Sequence, residues 1–342
     1  MSRYEITPSP LAGDRSNGGV APPSARHADE SSTSKYPNPA VRYRGKPRRL
    51  RRGGGHYHHP GDNQFSFDFV HEAPSEIVAR IVEYDDDVAV KVRKYDLDSE
   101  FFGIYTSRVG GGDVGDLEFD LGEALSEMGA DNGTIVARLL EIYQALIAQN
   151  EKEEGVPVEA YKNIDIDALP DALNRVSWEG NATDVAGRLA SNLILKHALP
   201  NANHRTAVAL VQFYLRRIAP DFSMPETSVE IDSETYDWRE WVNEYINESK
   251  RLLTVRRKNV LLKHLSDFGA TTLERKHEVQ IDLTAYELDM YPAEAKTVYA
   301  TAHEELWIEF VEEAVERTDN PELMEAPRLS KAEFAEKIRT LE

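Results

Sequence analysis

The run Lys196 to Leu215, KHALPNANHRTAVALVQFYL, constrains this chain more than any other stretch. From Ala207 onward almost every position is apolar, and Val208, Leu210, Val211, Phe213, Tyr214 and Leu215 fall all round a helical circumference rather than along one stripe. A helix that is apolar on all sides has to be surrounded, so residues 204–218 are expected at the centre of a helical bundle. Directly before it stand His197, Asn201, Asn203, His204 and Arg205. Polar groups bunched at the mouth of a buried helix cost free energy unless they hold something. A helix N-terminus also offers free N–H groups and a dipole that favour an anion such as phosphate.

The segments around this run supply a bundle. Residues 134–150 carry Val136, Leu139, Leu140, Tyr143 and Leu146 on one face, and residues 183–196 carry Val185, Leu189 and Leu193 at four-residue steps. Trp238, Trp241, Val242, Tyr245 and Ile246 mark a further helix expected to end near Leu253. Pro292 opens a long helix with Tyr299, Ala302, Leu306 and Phe310, and Ser330 with Glu333 forms a capping box before Phe334, Ile338 and Leu341. Upstream, the period changes to two. Phe65, Phe67 and Phe69 alternate with polar residues, and Ile77, Ala79 and Ile81 face Val88, Val90 and Val92 across Asp85-Asp86-Asp87, which predicts a β-hairpin. Val279, Ile281 and Leu283 alternate as a strand, and Gly110-Gly111-Gly112 lacks the spacing of a phosphate loop. The expected fold is mainly α: a disordered basic tail over 1–62, a small β-rich module over 63–130, a helical domain over 131–255 and a mixed, mainly helical extension over 256–342.

Charge divides the chain in the same way. Residues 1–60 carry 11 Lys/Arg against 4 Asp/Glu, so the −20 of the whole chain leaves −27 on residues 61–342. A body this acidic repels nucleic acid and leaves the basic run Arg42–Arg52 as the one segment suited to it. There is no cysteine, which removes disulfides and thiolate metal sites, and the excess of carboxylates over few lysines resembles a halophilic composition. No apolar run reaches the roughly 20 residues that span a bilayer, and the first residues lack the apolar core of a signal peptide, so a cytoplasmic location is expected. His56, His58 and His59 read as a flexible tract with no specific metal.

At the loop, His197 closes one helix and is the side chain best suited to take a proton near neutrality. Asn203 brings an amide and Arg205 a fork that fits phosphate. Together they read as a phosphate site beside a general base, the layout that transfer from a nucleotide to a hydroxyl needs. Singly, Asn201 or Asn203 serves equally well as a helix cap.

The order His197, Ala198, Leu199, Pro200, Asn201, Ala202, Asn203, His204, Arg205 resembles the Fic/Doc (Fido) motif H-x-F-x-[DE]-[GA]-N-x-R, and specifically its Doc-like (death-on-curing) branch. The resemblance covers residues 131–253. It implies a Fido-type bundle around a central buried helix and a toxin-type transferase that moves a phosphoryl group from ATP to a Ser, Thr or Tyr hydroxyl of a target protein. His197 would be the base, with Ala202, Asn203, His204 and Arg205 around the phosphates and Leu199 anchoring the loop in place of Phe. Asn201 stands where the family has an acidic Mg²⁺ ligand, so Mg²⁺ should bind weakly. Val208 replaces the second arginine of AMP-transferring members, and His204 stands where Doc-like members have Lys, which favours phosphoryl over AMP transfer. The inhibitory pattern [ST]-x-x-x-E-[GN] is not found, so restraint by a separate antitoxin is implied. A catalytically silent interaction module remains the rival from another class. Ile164 to Gly180 is the candidate for the family's target-positioning flap, and Lys250, Arg251, Arg256, Arg257, Lys258 and Lys263 form a basic patch suited to ATP or a partner.

Overall fold

The computed structural model describes residues 54–108, 125–154, 162–232, 235–276 and 279–340. The basic run at 42–52, the glycine cluster at 110–112 and Leu341 lie outside the described residues. Strands are β1 Gly54–His56, β2 His58–His59, β3 Asp62–His71, β4 Val88–Asp96, β5 Glu100–Arg108, β6 Ser228–Asp232, β7 Thr235–Trp238, β8 Thr272–Glu274 and β9 Gln280–Asp282. Helices are α1 Pro74–Val82, α2 Ala130–Glu154, α3 Ala168–Arg175, α4 Ala182–Lys196, α5 Asn203–Leu215, α6 Glu240–Asp267, α7 Pro292–Glu316 and α8 Lys331–Arg339. The fold is mainly α, as the periodicity predicts.

Helix α5 is buried along most of its length, and so is α4, from which the sequence showed only one stripe. Helix α4 can be enclosed this closely because Gly187 lets α7 approach. A Cβ at that position would lie 2.6 Å from both N and Cα of Ile308. The neighbour is backbone and cannot rotate aside, so Gly187→Ala must force the two helices apart. The expected cost is at least the ~1–3 kcal/mol of an overpacked core, a fall in Tm of several degrees, read by thermal melts. An unchanged Tm would mean that α4 and α7 do not pack as closely as described.

Two apolar cores share the long helices. One gathers α2 to α5 with Val242 and Ile246 of α6, Trp307 and Phe310 of α7, and Phe334 and Ile338 of α8. The other joins Phe67, Phe101 and Tyr105 of the sheet to Leu261, Leu262 and Leu265 of α6 and to Tyr299 of α7. Helix α6 contributes to both, and it bends at Lys258, where φ is −120° and ψ is 23°. It therefore does not end near Leu253, and the boundary expected at residue 255 falls inside it. The capping box at Ser330 and Glu333 forms as predicted, with Glu333 N–H donating to Ser330 Oγ at 3.3 Å.

The N-terminal region needs two corrections. Strands begin at Gly54, inside the segment expected to be a tail: β1 runs parallel to β8, and β2 to β5 form an antiparallel sheet in the order β2-β3-β5-β4. His58 and His59 belong to it, and His59 sets its ring edge-on to Tyr105 at 5.3 Å. Second, Ile77, Ala79 and Ile81 are helical, not a strand: Pro74 sits at the helix start and Glu76 in its first turn, and only Ile77 is buried. The hairpin is made instead by β4 and β5. Within β3 the alternation breaks at Asp68, where a bulge shifts the register between Phe67 and Phe69. Phe65, Phe67 and Val70 are buried, whereas Phe69 is not.

Candidate functional site

Helix α4 starts on a reciprocal capping box between Asn181 and Asp184 and stops at His197, whose backbone is left-handed with φ 51°. Ala202, just before α5, is left-handed as well, with φ 53°. Outside glycine each such conformation costs roughly 1–2 kcal/mol, which marks the loop as held in place by its surroundings. Ala198, Leu199 and Pro200 between them are buried, so Leu199 does anchor the loop in the core. Asn203 holds it from the other side: its Oδ1 accepts from Leu199 N at 3.2 Å, and its Nδ2 donates to Leu199 O at 3.0 Å. Helix α5 then begins without a side-chain cap.

His197 sits half-buried at this junction. Burial lowers its pKa to about 4, followed by the charges of Arg257, Lys162 and Arg275. Lys162 Nζ donates to the His197 carbonyl, and Asp165 N donates to Ala198 O at 2.9 Å, which lays residues 162–165 along the loop. Arg275 donates to the Lys250 carbonyl and to Thr254 Oγ1 and stacks its guanidinium 5.1 Å from the Tyr57 ring. Arg257 is solvent-exposed and reaches Leu195 O at 3.5 Å. Among the described residues none of Lys162, Arg257 and Arg275 forms an ion pair with a carboxylate, although Asp165 lies near enough to Lys162 to favour its charge. A cluster of cations around a neutral imidazole is a place for an anion.

His204 turns away from that cluster's surface. Its Nε2 lies 2.9 Å from Ser249 Oγ, which lies 2.8 Å from His303 Nε2, whose Nδ1 lies 2.7 Å from Ser191 Oγ. This chain ties α5, α6, α7 and α4 together, and Ser249, His303 and Ser191 are 0% exposed. Each hydroxyl can donate one proton and accept another, so the chain is satisfied in either direction with both rings neutral. Burial, then Lys250, His197 and Arg275, brings the His204 pKa to about 3, and burial with His204 and Arg256 holds His303 well below its ordinary value.

Several expectations change. Asn203, expected on the phosphate, bonds to the backbone of Leu199. Arg205 is exposed, donates to Asn150 Oδ1 at 2.8 Å and lies 6.0 Å from the Trp238 ring, so it does not join the cations around His197. The segment Ile164–Gly180 is not a free flap: only its first residues run along the loop, while Leu169, Ala172 and Leu173 of α3 are buried. Lys162 and Arg275, whose charges act on His197, carry no local motif and could not be picked out from spacing. Of the basic patch, Arg251, Lys258 and Lys263 pair with Glu248, Asp68 and Asp267.

A divalent cation fits poorly here. Asn201 Oδ1 accepts from Ala202 N at 2.6 Å, and the charges acting on the neighbouring histidines are cationic. Among the described residues no group of three or more His, Cys, Asp or Glu is placed to hold a metal ion. Residues 53–342 match a family of unknown function, DUF8172. The chain belongs to that family. No curated protein and no solved structure matches it. As a DUF8172 member it has no helix, among the described residues, long and apolar enough to cross a membrane.

Proposed function

We propose that the loop between α4 and α5 is the active site of a transferase that moves the terminal phosphoryl group of ATP to a hydroxyl of a target protein. The observation that carries this reading is His197, a neutral and half-buried imidazole at a left-handed helix end, surrounded by Lys162, Arg257 and Arg275. The Fic/Doc-like order of the loop residues supports it. In the step, the target hydroxyl gives its proton to His197, its oxygen bonds to the γ-phosphorus, the bond from that phosphorus to the bridging oxygen breaks, and ADP leaves. The three cations and the uncapped start of α5 take up the phosphate charge, so no step is routed through Mg²⁺. A base with a pKa near 4 is weak, but an incoming triphosphate adds negative charge beside the ring and raises its proton affinity toward the working range.

A target protein and an antitoxin that restrains the enzyme follow from the same resemblance. A second reading is favoured by the engagement of Asn203 and Arg205 in bonds of their own: a domain that binds a phosphate-bearing partner without transferring anything. Expression in a bacterial host separates the two. Growth arrest relieved by His197→Ala, with the variant soluble and folded, supports the enzyme; growth arrest unchanged by His197→Ala, or none, favours the binding domain.

A further inference from the structure

The loop does not account for a second cavity on the same molecule. A cleft of about 300 Å³ lies between β3, the bend of α6 and the start of α7, with Phe69, Arg256, Arg257, Asn259 and Lys296 in its wall. Two local irregularities open it: the bulge at Asp68 and the non-helical backbone at Lys258. Those two residues are joined by an ion pair of 2.9 Å, and Tyr84 O–H donates to the other Asp68 oxygen at 2.6 Å. Asp68 is the one carboxylate in the lining, and its charge is therefore already answered. Among the described residues Arg256 and Arg257 bond to backbone oxygens alone, of Lys296 at 3.0 Å and of Leu195 at 3.5 Å, and Lys296 is exposed. The lining carries a surplus of positive charge.

Asn259 decides what this surplus is for. It is 3% exposed, it lines the cleft, and among the described residues neither its Oδ1 nor its Nδ2 has a hydrogen-bond partner. A buried polar group left unmet costs about 1–3 kcal/mol, and this side chain leaves two unmet. We propose that the cleft binds a mononucleotide, with its phosphate on Arg256, Arg257 and Lys296 and a donor–acceptor edge of its base on the Asn259 amide. Guanidinium groups suit phosphate oxygens, and an asparagine amide matches a base edge through two hydrogen bonds. The volume stands at the small end of ligand pockets, which admits one nucleotide rather than a strand. Phe69 supplies an apolar wall for the ring. The site shares Arg257 with the cations around His197 but does not rest on the transfer reading.

The test is calorimetric titration of the full chain with AMP, GMP, CMP, UMP and inorganic phosphate. The expected result is that at least one nucleotide binds ten-fold or more tightly than phosphate. Lys296→Glu, at an exposed position, should weaken that nucleotide by ten-fold or more. Asn259→Leu should level the preference among the four bases and raise Tm, because it removes two unmet polar groups. Equal affinity for all five probes, no saturation at millimolar concentration, or unchanged affinity in Lys296→Glu would overturn the proposal. So would an Asn259→Leu variant that lowers Tm and keeps the base preference.

Discussion

His197→Ala should leave the protein folded and reduce phosphoryl transfer to the target by roughly 10²–10⁴-fold, the usual contribution of a positioned general base. The fold should survive because the loop is held by backbone bonds, by Asn203 and by buried Leu199 rather than by the His197 ring. The Lys162 and Arg257 bonds reach backbone oxygens of His197 and Leu195, and Asn203 braces Leu199 independently of residue 197. At position 197 alanine would carry the same left-handed strain that Ala202 already bears in this loop, so a modest loss of stability accompanies the change. A single-turnover assay with labelled ATP reads the rate, and circular dichroism reads the fold. A folded variant with an unaltered rate would remove His197 from the chemistry.

The second large effect is on stability in mild acid. His197, His204 and His303 all have folded-state pKa values below the ordinary 6.5, chiefly because burial disfavours their charged forms. Their unfolded forms take up protons as pH falls through 6.5, whereas the folded forms do not until about 4 for His197 and about 3 for His204. The stabilising contribution is therefore complete above pH 7 and is lost progressively as pH falls from about 6.5 toward 4. Each group contributes at most about 1.4 kcal/mol per pH unit in that window. Solvent screening trims the shares of the partly exposed His197 and His204, while His303 at 0% exposure keeps its own. Two such groups remove at most about 4 kcal/mol by pH 5, a large fraction of a typical domain stability of about 5–15 kcal/mol. Urea unfolding at pH 7.5, 6.5, 5.5 and 5.0 should show this slope, reduced in His303→Leu. Stability that stays flat over that range would show that the three rings are not held neutral.

How far the sequence foretold this depended on the range of each signal. Helix α5 is legible because an all-round apolar run has one solution, and the cap at Ser330 because its partner lies three residues away, whereas the like cap at Asn181 is not read from the sequence. Residues 77–81 misled because Ile77 and Ile81 satisfy a helical step as well as alternation, and the helix-starting Pro74 decides between them. The bulge at Asp68 leaves no trace in an alternating pattern. The loop's residue types were legible while their partners were not. Asn203 turns to Leu199 and Arg205 to Asn150, choices made by packing rather than by spacing. The chain through Ser249, His303 and Ser191 joins three distant helices, and its one local sign is a histidine on the apolar stripe between Tyr299 and Trp307.

On the proposed reading a phosphoryl group passes from ATP to a protein hydroxyl at His197. The most direct measurement incubates the protein with cell lysate and ATP labelled at either the α- or the γ-phosphate, then locates the label by mass spectrometry. Label is expected from the γ-position only, with a mass gain of one phosphoryl group on a Ser, Thr or Tyr, and it is expected to be lost with His197→Ala. Label from the α-position with a mass gain of AMP, or label that persists in the folded His197→Ala protein, would contradict it.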